Sequence, residues 1–354
     1  MLQEFLEKHQ IKPQTIAVGV SGGADSLFAV LKANEELAPL GYRIIALTVN
    51  HGLRKSAQEE ADFVHELMSK NSIEHHTLVW VGKKPKTGVE EAARLARYDL
   101  LEKFCVEHDV RYLMTAHHLL DQVETFFMRL ERGSGLDGLC GMREVTPLKS
   151  IYVLRPFLKE NPNVFKTYLK KKNIAWVEDE SNEDESLLRV KIRHFLPVFE
   201  QKTGIDLAKI GQTMERLWSS RIYFEEKVRH LIKNNFKTFN TQVFCCAYVF
   251  FDECDSEIQY RLLGFLLKHI GQTTYPPEAG QILDLQQKLK DEHFKSATLG
   301  HCRIIKQNNF VWFLPEVKQA TIYSKEIWKE YMKTHPAYQK IKFPAAVKRF
   351  LIRK

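Results

Sequence analysis

The chain has 354 residues, more than one hydrophobic core usually serves, which predicts two or three domains. Its formal net charge is +8, and no apolar run approaches the ~20 residues of a membrane span, so we expect a soluble protein without a membrane partner. The six cysteines form no C-x-x-C pair and no zinc spacing, and we read no signal peptide ahead of them, so we expect a reducing, cytoplasmic setting.

The first part of the chain alternates short β-branched runs with longer helical patterns. The predicted strands are 15–20, 43–51, 75–81 and 112–118, and the predicted helices are 26–38, 56–71, 88–109 and 119–132. This alternation predicts an α/β fold, a doubly wound parallel sheet with helices on both faces. Ligands of such folds lie at the carboxyl ends of the strands.

The second part of the chain has a different pattern. A lysine-rich helix ends in "KKKN", and a long helical pattern covers about 205–235. A strand at 241–251, helices at 256–270 and 276–290, and a hairpin at 302–315 follow. We predict a catalytic domain at 1–210, a smaller α+β or mostly helical domain at 211–332, and a basic C-terminal tail at 333–354.

The charge of the chain is unevenly distributed. Residues 1–200 carry 27 basic and 29 acidic side chains, whereas residues 201–354 carry 25 and 15. A basic region appended to a near-neutral domain indicates a polyanionic partner such as nucleic acid. A well-solvated lysine-rich surface is the alternative reading of the same charges.

The turn after the first predicted strand reads "SGGADS", residues 21–26. Gly22 and Gly23 let backbone N–H groups face a ligand, and a helix that begins near Ser26 adds its positive dipole end. These features predict an anion site, most simply for phosphate. The string is neither G-x-G-x-x-G nor a Walker loop, and two glycines alone would also suit an ordinary turn.

Two further polar clusters follow predicted strands. "NHGLR" at 50–54 follows the second strand, and "AHHLLDQVET" at 116–125 follows the fourth. Because the carboxyl ends of parallel strands share one edge of a sheet, we expect the three clusters to converge.

These motifs carry a resemblance to a known family. S-G-G-x-D-S after the first strand resembles the signature of the PP-loop ATP pyrophosphatases, which cleave ATP between the α and β phosphates. Within that group the chain resembles the tRNA(Ile)-lysidine synthetases. The other matching motifs, in the family's order over about 15–200, are "NHGLR", "EAARLARY", "AHHLLDQVET", "RGSGLDGLCGM", "LRPF" and "EDESNEDESLLRVKIR".

The resemblance implies a two-step ligation with ATP, Mg²⁺, L-lysine and a minor isoleucine tRNA. The carbonyl oxygen of the wobble cytidine attacks the α-phosphorus of ATP and pyrophosphate leaves. The ε-amine of lysine then displaces AMP from the activated ring carbon. The sequence leaves open whether the chain forms a homodimer.

The nucleotide site implied by the resemblance lies mainly in the glycine turn. Its ATP-binding residues are Ser21, Gly22, Gly23, Ala24, Asp25, Ser26 and His51. Asp25 is also the predicted catalytic ligand of Mg²⁺, because hard divalent cations prefer carboxylate and phosphate oxygens. Its alternative role is to complement the positive end of the helix.

The remaining predicted residues lie on helices. Arg94 and Arg97 share a helix face, and Arg97 is the predicted catalytic contact to the α-phosphate, unless both are merely solvated. His117, Asp121 and Glu124 also share a helix face. By resemblance Asp121 and Glu124 bind the substrate lysine and His117 is catalytic; a surface acidic pair or a metal site are the alternatives.

The segment "EDESNEDESLLRVKIR" supplies the last predicted catalytic residues, Asp179, Arg189 and Arg193, with Arg189 expected near the ATP phosphates. A capped helix start is its alternative role. Two positions depart from the family pattern, since Leu120 replaces an aspartate and Val190 replaces an asparagine.

Three rival functions are weighed. A PP-loop tRNA thiolase usually relies on C-x-x-C pairs, which this chain lacks. A glutamine-dependent synthetase needs an amidotransferase domain, for which no room precedes residue 15. A non-catalytic tRNA-binding protein on a retired nucleotide fold has one supporting feature, the missing aspartate at Leu120.

Overall fold

The computed structural model describes residues 1–52, 57–82, 84–85, 87–178, 188–273, 275–317, 324–338 and 341–352. The chain forms two compact units, Met1–Trp218 and Ser219–Lys354. Across the described ranges, no helix has the length and apolar character needed to cross a membrane.

The first unit contains a six-stranded sheet. Its strands are β1 Thr15–Gly19, β2 Arg43–Asn50, β3 Glu74–Val79, β4 Tyr112–Met114, β5 Val145–Leu148 and β6 Ile151–Leu154. Its helices are α1 Leu2–Lys8, α2 Ala24–Leu37, α3 Ala57–Lys70, α4 Val89–Glu107, α5 Leu119–Glu131, α6 Leu136–Leu139, α7 Asn163–Lys171 and α8 Leu188–Thr203. Helix α9, Leu207–Asn235, begins in this unit and ends in the second.

The strand order is β3-β2-β1-β4-β6-β5, with only β5 antiparallel to its neighbour. This arrangement confirms the predicted doubly wound parallel sheet, except that the edge strand β5 is antiparallel. The chain runs outward from β1 through β2 to β3 and then returns to place β4 on the other side of β1. The order therefore reverses between β1 and β4, which is where such sheets bind ligands.

Alternate side chains of β1 enter two different cores. Ile16 and Val18 pack with apolar side chains of α2, α3 and α7, whereas Ala17 packs with Leu101 and Phe104 of α4. This alternation follows from the two-residue period of a strand and shows that helices cover both faces of the sheet.

Helices α5 and α8 pack together through a smaller apolar cluster. Val123, Ile192 and Leu196 are buried in it, and Leu120 lies partly buried against them. Val190 of α8 is also buried. Leu120 is thus part of the packing between these two helices, and Val190 is a buried apolar side chain.

The second unit is an α+β structure, the first of the two alternatives predicted for it. An antiparallel sheet has the order β7-β8-β11-β10-β9. Its strands are β7 Lys237–Phe239, β8 Val243–Ala247, β9 Ser296–Leu299, β10 Cys302–Gln307 and β11 Phe310–Pro315. Its helices are α10 Tyr248–Glu253, α11 Ser256–Gly271, α12 Ala279–Lys290, α13 Lys325–Thr334 and α14 Ala345–Leu351.

The predicted hairpin at 302–315 forms, but the predicted strand at 241–251 ends earlier. β8 stops at Ala247, which pairs with Phe310, the first residue of β11. Among the described residues, the pairing of β8 with β11 ends at this point. Residues 248–253 form the short helix α10 instead, and the Tyr248 amide at its start donates to the Asn309 carbonyl at 2.8 Å.

The basic C-terminal segment contributes apolar side chains to this unit. Phe343, Val347 and Leu351 are buried in a cluster with Trp312 and Leu314 of β11. Removing the segment would therefore expose part of a hydrophobic core as well as delete positive charges.

Candidate active site

The residues that follow β1 and β4 meet where the strand order reverses. The two strands are hydrogen-bonded neighbours, with Val18 opposite Met114. The glycine turn therefore lies beside His117 and His118, which follow β4. This adjacency brings two of the three predicted polar clusters to one place.

The glycine turn is held open by its own polar groups. Gly22 has φ +84°, a conformation that disfavours other residues, and its carbonyl accepts a 3.0 Å hydrogen bond from the Val177 amide. The Ser26 hydroxyl accepts from the Ser21 amide and donates to the Gly23 carbonyl, each at 3.0 Å. The turn is therefore preformed at the N-terminus of α2, where an anion is favoured.

Asp25 projects from the first turn of α2 and is 45% exposed. Its Oδ2 lies 3.4 Å from Nε2 of His118, which is almost fully buried. His118 also caps α5: its Nδ1 accepts from the Asp121 amide at 3.4 Å, and its own amide donates to Asp121 at 3.0 Å. Because Nδ1 accepts this hydrogen bond, Nε2 carries hydrogen and faces Asp25.

His118 was not among the predicted site residues, although it precedes Asp121 by the three-residue spacing of a capping box. Burial disfavours its charged form, but the hydrogen bond to Asp25 and the charge of Asp121 together raise its pKa. The second histidine of "AHH" thus physically links the glycine turn to α5.

The predicted lysine-binding carboxylates are ion-paired with two predicted catalytic arginines. Arg189 donates from Nη2 to Asp121 at 2.7 Å and from Nε to Glu124 at 2.6 Å. Arg193 donates from Nε to the other Glu124 oxygen at 2.6 Å. Glu124 is fully buried, so these charge-assisted hydrogen bonds hold α8 against α5.

His117 is held uncharged by its surroundings. Its Nδ1 lies 2.8 Å from the Thr115 hydroxyl. Burial is the main cause that lowers its pKa, to about 3; the charge of Asp121 opposes it, and the positive charges of Arg155, Arg189 and Arg97 lower the pKa further. The imidazole is therefore neutral near pH 7.

His51 and Arg97 lie together at the same edge. Nδ1 of His51 is buried and has no hydrogen-bond partner among the described residues, and burial together with the charges of Arg97 and Lys84 lowers its pKa. The Arg97 guanidinium lies 5.5 Å from the centre of the Tyr98 ring. Within the described part of the chain it has no carboxylate partner, and burial lowers its pKa. An unpaired imidazole beside an unpaired guanidinium is suited to a polar, anionic ligand.

Asp179 lies outside the described residues. Across the described ranges, no cluster of three or more histidine, cysteine, aspartate or glutamate side chains has the arrangement of a metal site. The third arginine near His117, Arg155 of "LRPF", was also not predicted as a site residue, although its position directly after a strand was a usable signal.

Comparison with known proteins agrees with this geometry. Residues 1–198 match the PP-loop domain family. A solved U34-tRNA thiolase from Methanococcus maripaludis has a similar fold, with a TM-score of 0.51 and 19% identity over 61% of this chain and 78% of that one. The chain therefore belongs to the PP-loop family of ATP-utilising proteins.

Curated relatives narrow the assignment. A tRNA(Ile)-lysidine synthase from Wolbachia pipientis is 32% identical over 335 residues, which cover 89% of this chain and 74% of that enzyme. One from Orientia tsutsugamushi is 31% identical over 74% of this chain and 60% of its own length. The chain is a member of the tRNA(Ile)-lysidine synthase family, and the match spans less than two thirds of the Orientia enzyme.

Proposed function

We propose that this chain ligates L-lysine to the wobble cytidine of a minor isoleucine tRNA, with ATP cleaved to AMP and pyrophosphate. One observation carries the proposal. Asp25 of the nucleotide turn lies 3.4 Å from His118, which caps the helix that bears Asp121 and Glu124. A phosphate site and a carboxylate site on neighbouring strand ends suit a reaction that joins an amine to a nucleotide-activated base.

In the first step the carbonyl oxygen of the cytidine attacks the α-phosphorus, and pyrophosphate leaves. The amides of the glycine turn and the N-terminus of α2 stabilise the negative charge of the leaving group. Arg97 is the cation placed to neutralise charge on the α-phosphate. His51, with its unpaired Nδ1, supplies a further polar contact to the nucleotide.

The residues at the turn fit a bound Mg²⁺. Mg²⁺ usually takes one or two carboxylates together with substrate phosphates and water, and Asp25 is a half-exposed carboxylate at a phosphate site. Asp25 would hold the ion, which when bound neutralises phosphate charge. The contact with His118 occupies one carboxylate oxygen and leaves the other available.

In the second step the lysine amine attacks the activated ring carbon, and AMP leaves. Asp121 and Glu124 are neutralised by Arg189 and Arg193, so we infer that lysine binding redistributes these ion pairs. Neutral His117 accepts the proton that the amine loses. Nucleotide phosphates that pair with the nearby arginines would raise the pKa of His117 toward that role.

The second unit is proposed to bind tRNA through its excess of basic side chains. The cytoplasmic location and the homodimer stay predictions. A tRNA thiolase and a non-catalytic tRNA-binding protein remain the alternatives against which the activity is tested.

The test is an assay of purified protein with ATP, radiolabelled lysine and total tRNA, which locates the labelled nucleoside and measures pyrophosphate. We expect tRNA-dependent pyrophosphate release, with sustained turnover only when lysine is present and with the label in one nucleoside. The Asp25→Ala variant should lose release about a thousandfold or more while retaining tRNA binding. Asp62→Ala, on the exposed surface of α3, is the matched control.

Pyrophosphate release without lysine in tRNA would favour another tRNA modification. Absence of any release, with tRNA bound, would favour the non-catalytic alternative. Normal release by Asp25→Ala would remove Asp25 from the proposed mechanism.

A further inference from the structure

Arg155 directly follows β6, at the edge of the sheet that carries the site. Its side chain is buried, since the residue is 9% exposed. Nη1 donates to the Arg143 carbonyl at 3.1 Å and to the Thr146 hydroxyl at 2.9 Å. Nε is buried, and no described residue provides it with a hydrogen-bond partner.

No carboxylate among the described residues pairs with this guanidinium. Arginine keeps its charge in proteins, and an uncompensated buried charge is strongly unfavourable. The neighbours of Arg155 increase the imbalance rather than relieve it. It lies within electrostatic range of Tyr98, whose ring lies 5.4 Å from the Arg94 guanidinium and 5.5 Å from that of Arg97.

The position of this group relative to the reaction is given by His117. Burial lowers the pKa of His117, and the charges of Arg155 and Arg97 lower it further, so both guanidiniums lie within electrostatic range of that imidazole. Arg155 is one strand further from the glycine turn than His117, because β6 neighbours β4 on the side away from β1. The unpaired charge is therefore near the reacting groups but separate from the pyrophosphate turn.

We propose that Arg155, together with Arg97 and Tyr98, forms an anion subsite that contacts a phosphoryl group of a substrate. The inference rests on the proposed function for its choice of ligand. Two sources share this chemistry, the α-phosphate of ATP and a backbone phosphate of the tRNA beside the target cytidine. A guanidinium with an unpaired Nε donor suits either one, because phosphate oxygens accept charge-assisted hydrogen bonds.

A purely structural role is the competing account, since Nη1 ties down the chain at Arg143 and Thr146. Thr146→Val removes one of these structural acceptors and leaves the guanidinium in place. Arg111→Met is a second control, because Arg111 is an exposed arginine at the opposite end of β4, stacked near Tyr112 and Tyr152.

The experiment measures binding rather than turnover. Dissociation constants for ATP and for unmodified tRNA are determined by calorimetry or filter binding for the parent chain and for Arg155→Met. We expect at least a tenfold weaker affinity for one of the two ligands, with both controls near the parent value. Weaker ATP binding alone assigns the subsite to the nucleotide, and weaker tRNA binding alone assigns it to the RNA backbone.

Unchanged affinity for both ligands, with loss of thermal stability like that of Thr146→Val, would overturn the proposal. If Arg155→Met does not fold, Arg155→Lys and Tyr98→Phe provide the same comparison with smaller structural change. Because the readout is binding, a chain that forms no lysidine would refute the proposed function and still report on this subsite.

Discussion

Two groups of arginines in the first unit differ in their partners. Arg189 and Arg193 pair with Asp121 and the fully buried Glu124 at 2.6–2.7 Å. Arg97 and Arg155 have no carboxylate partner among the residues that the structure describes. The first group satisfies its charges within the protein, whereas no described carboxylate compensates the positive charge of the second group.

This difference separates arginines that stabilise the structure of the proposed site from arginines that are available to bind a ligand. Removing one member of a buried ion pair leaves its partner unpaired and destabilises the fold. Removing an unpaired buried cation relieves an electrostatic penalty but deletes a binding contact. Stability and ligand affinity should therefore respond in opposite ways in the two groups.

The largest expected effect concerns the paired group. Glu124→Gln should lower the free energy of unfolding by about 3–5 kcal/mol, because a neutral amide leaves Arg189 and Arg193 without their shared carboxylate. Urea unfolding measures the change. Glu131→Gln, at the exposed end of the same helix, is the control and should change stability by less than about 0.5 kcal/mol. Equal stability of the two variants would show that the ion-pair cluster does not hold α8 to α5.

The direct comparison of the two groups uses one variant from each. Arg193→Met should destabilise the fold by about 1–3 kcal/mol, since it breaks a charge-assisted hydrogen bond to buried Glu124. Arg97→Met should leave the free energy of unfolding within about 1 kcal/mol and weaken ATP binding about tenfold, as expected for a lost charged contact of about 1.4 kcal/mol. Unfolding and ATP titrations of both proteins test this. If Arg97→Met lowers the free energy of unfolding and leaves ATP affinity unchanged, the proposed difference between the two groups of arginines is wrong.

The positive charges of the unpaired arginines, Arg97 and Arg155, also act on His117. We therefore predict that the free energy of unfolding depends on pH. The pKa of His117 is lowered from 6.5 to about 3, so between these values the unfolded chain binds a proton that the folded chain does not. His117 therefore contributes stability that is present above pH 6.5 and is lost as the pH falls toward 3, at up to about 1.4 kcal/mol per pH unit. The difference in unfolding free energy between the parent chain and His117→Gln, measured across this range, should follow that slope. A pH-independent difference would contradict it.

The smallest expected effect concerns exposed lysines of the second unit, which belong to neither group of arginines. Replacing Lys329 and Lys333 of α13 by glutamine preserves the buried part of the C-terminal segment, unlike truncation. If both contact phosphates, the slope of log Kd for tRNA against log salt should decrease by about 0.7–0.9 per contact, with ATP affinity unchanged. Filter binding at several salt concentrations provides the measurement. An identical slope would show that other lysines or arginines contact the tRNA phosphates.

Local sequence determined much of the fold and which segments carry the proposed site. The period of the apolar residues predicted the parallel sheet, and "SGGADS" predicted the anion turn, because strand faces, helix starts and glycine conformations depend on neighbouring residues. The three-residue spacing of Asp121 and Glu124 likewise predicted that they share a helix face. Family membership followed from the order of short motifs along the chain.

Tertiary structure alone decided which charges are paired. Glu124 and Arg189 are 65 residues apart in sequence, and only the packing of α5 against α8 brings them to 2.6 Å. The isolation of Arg155 and the link between Asp25 and His118 depend on the strand order for the same reason. Electrostatic partners are set by distance in space and by burial, and neither quantity can be read from spacing along the chain.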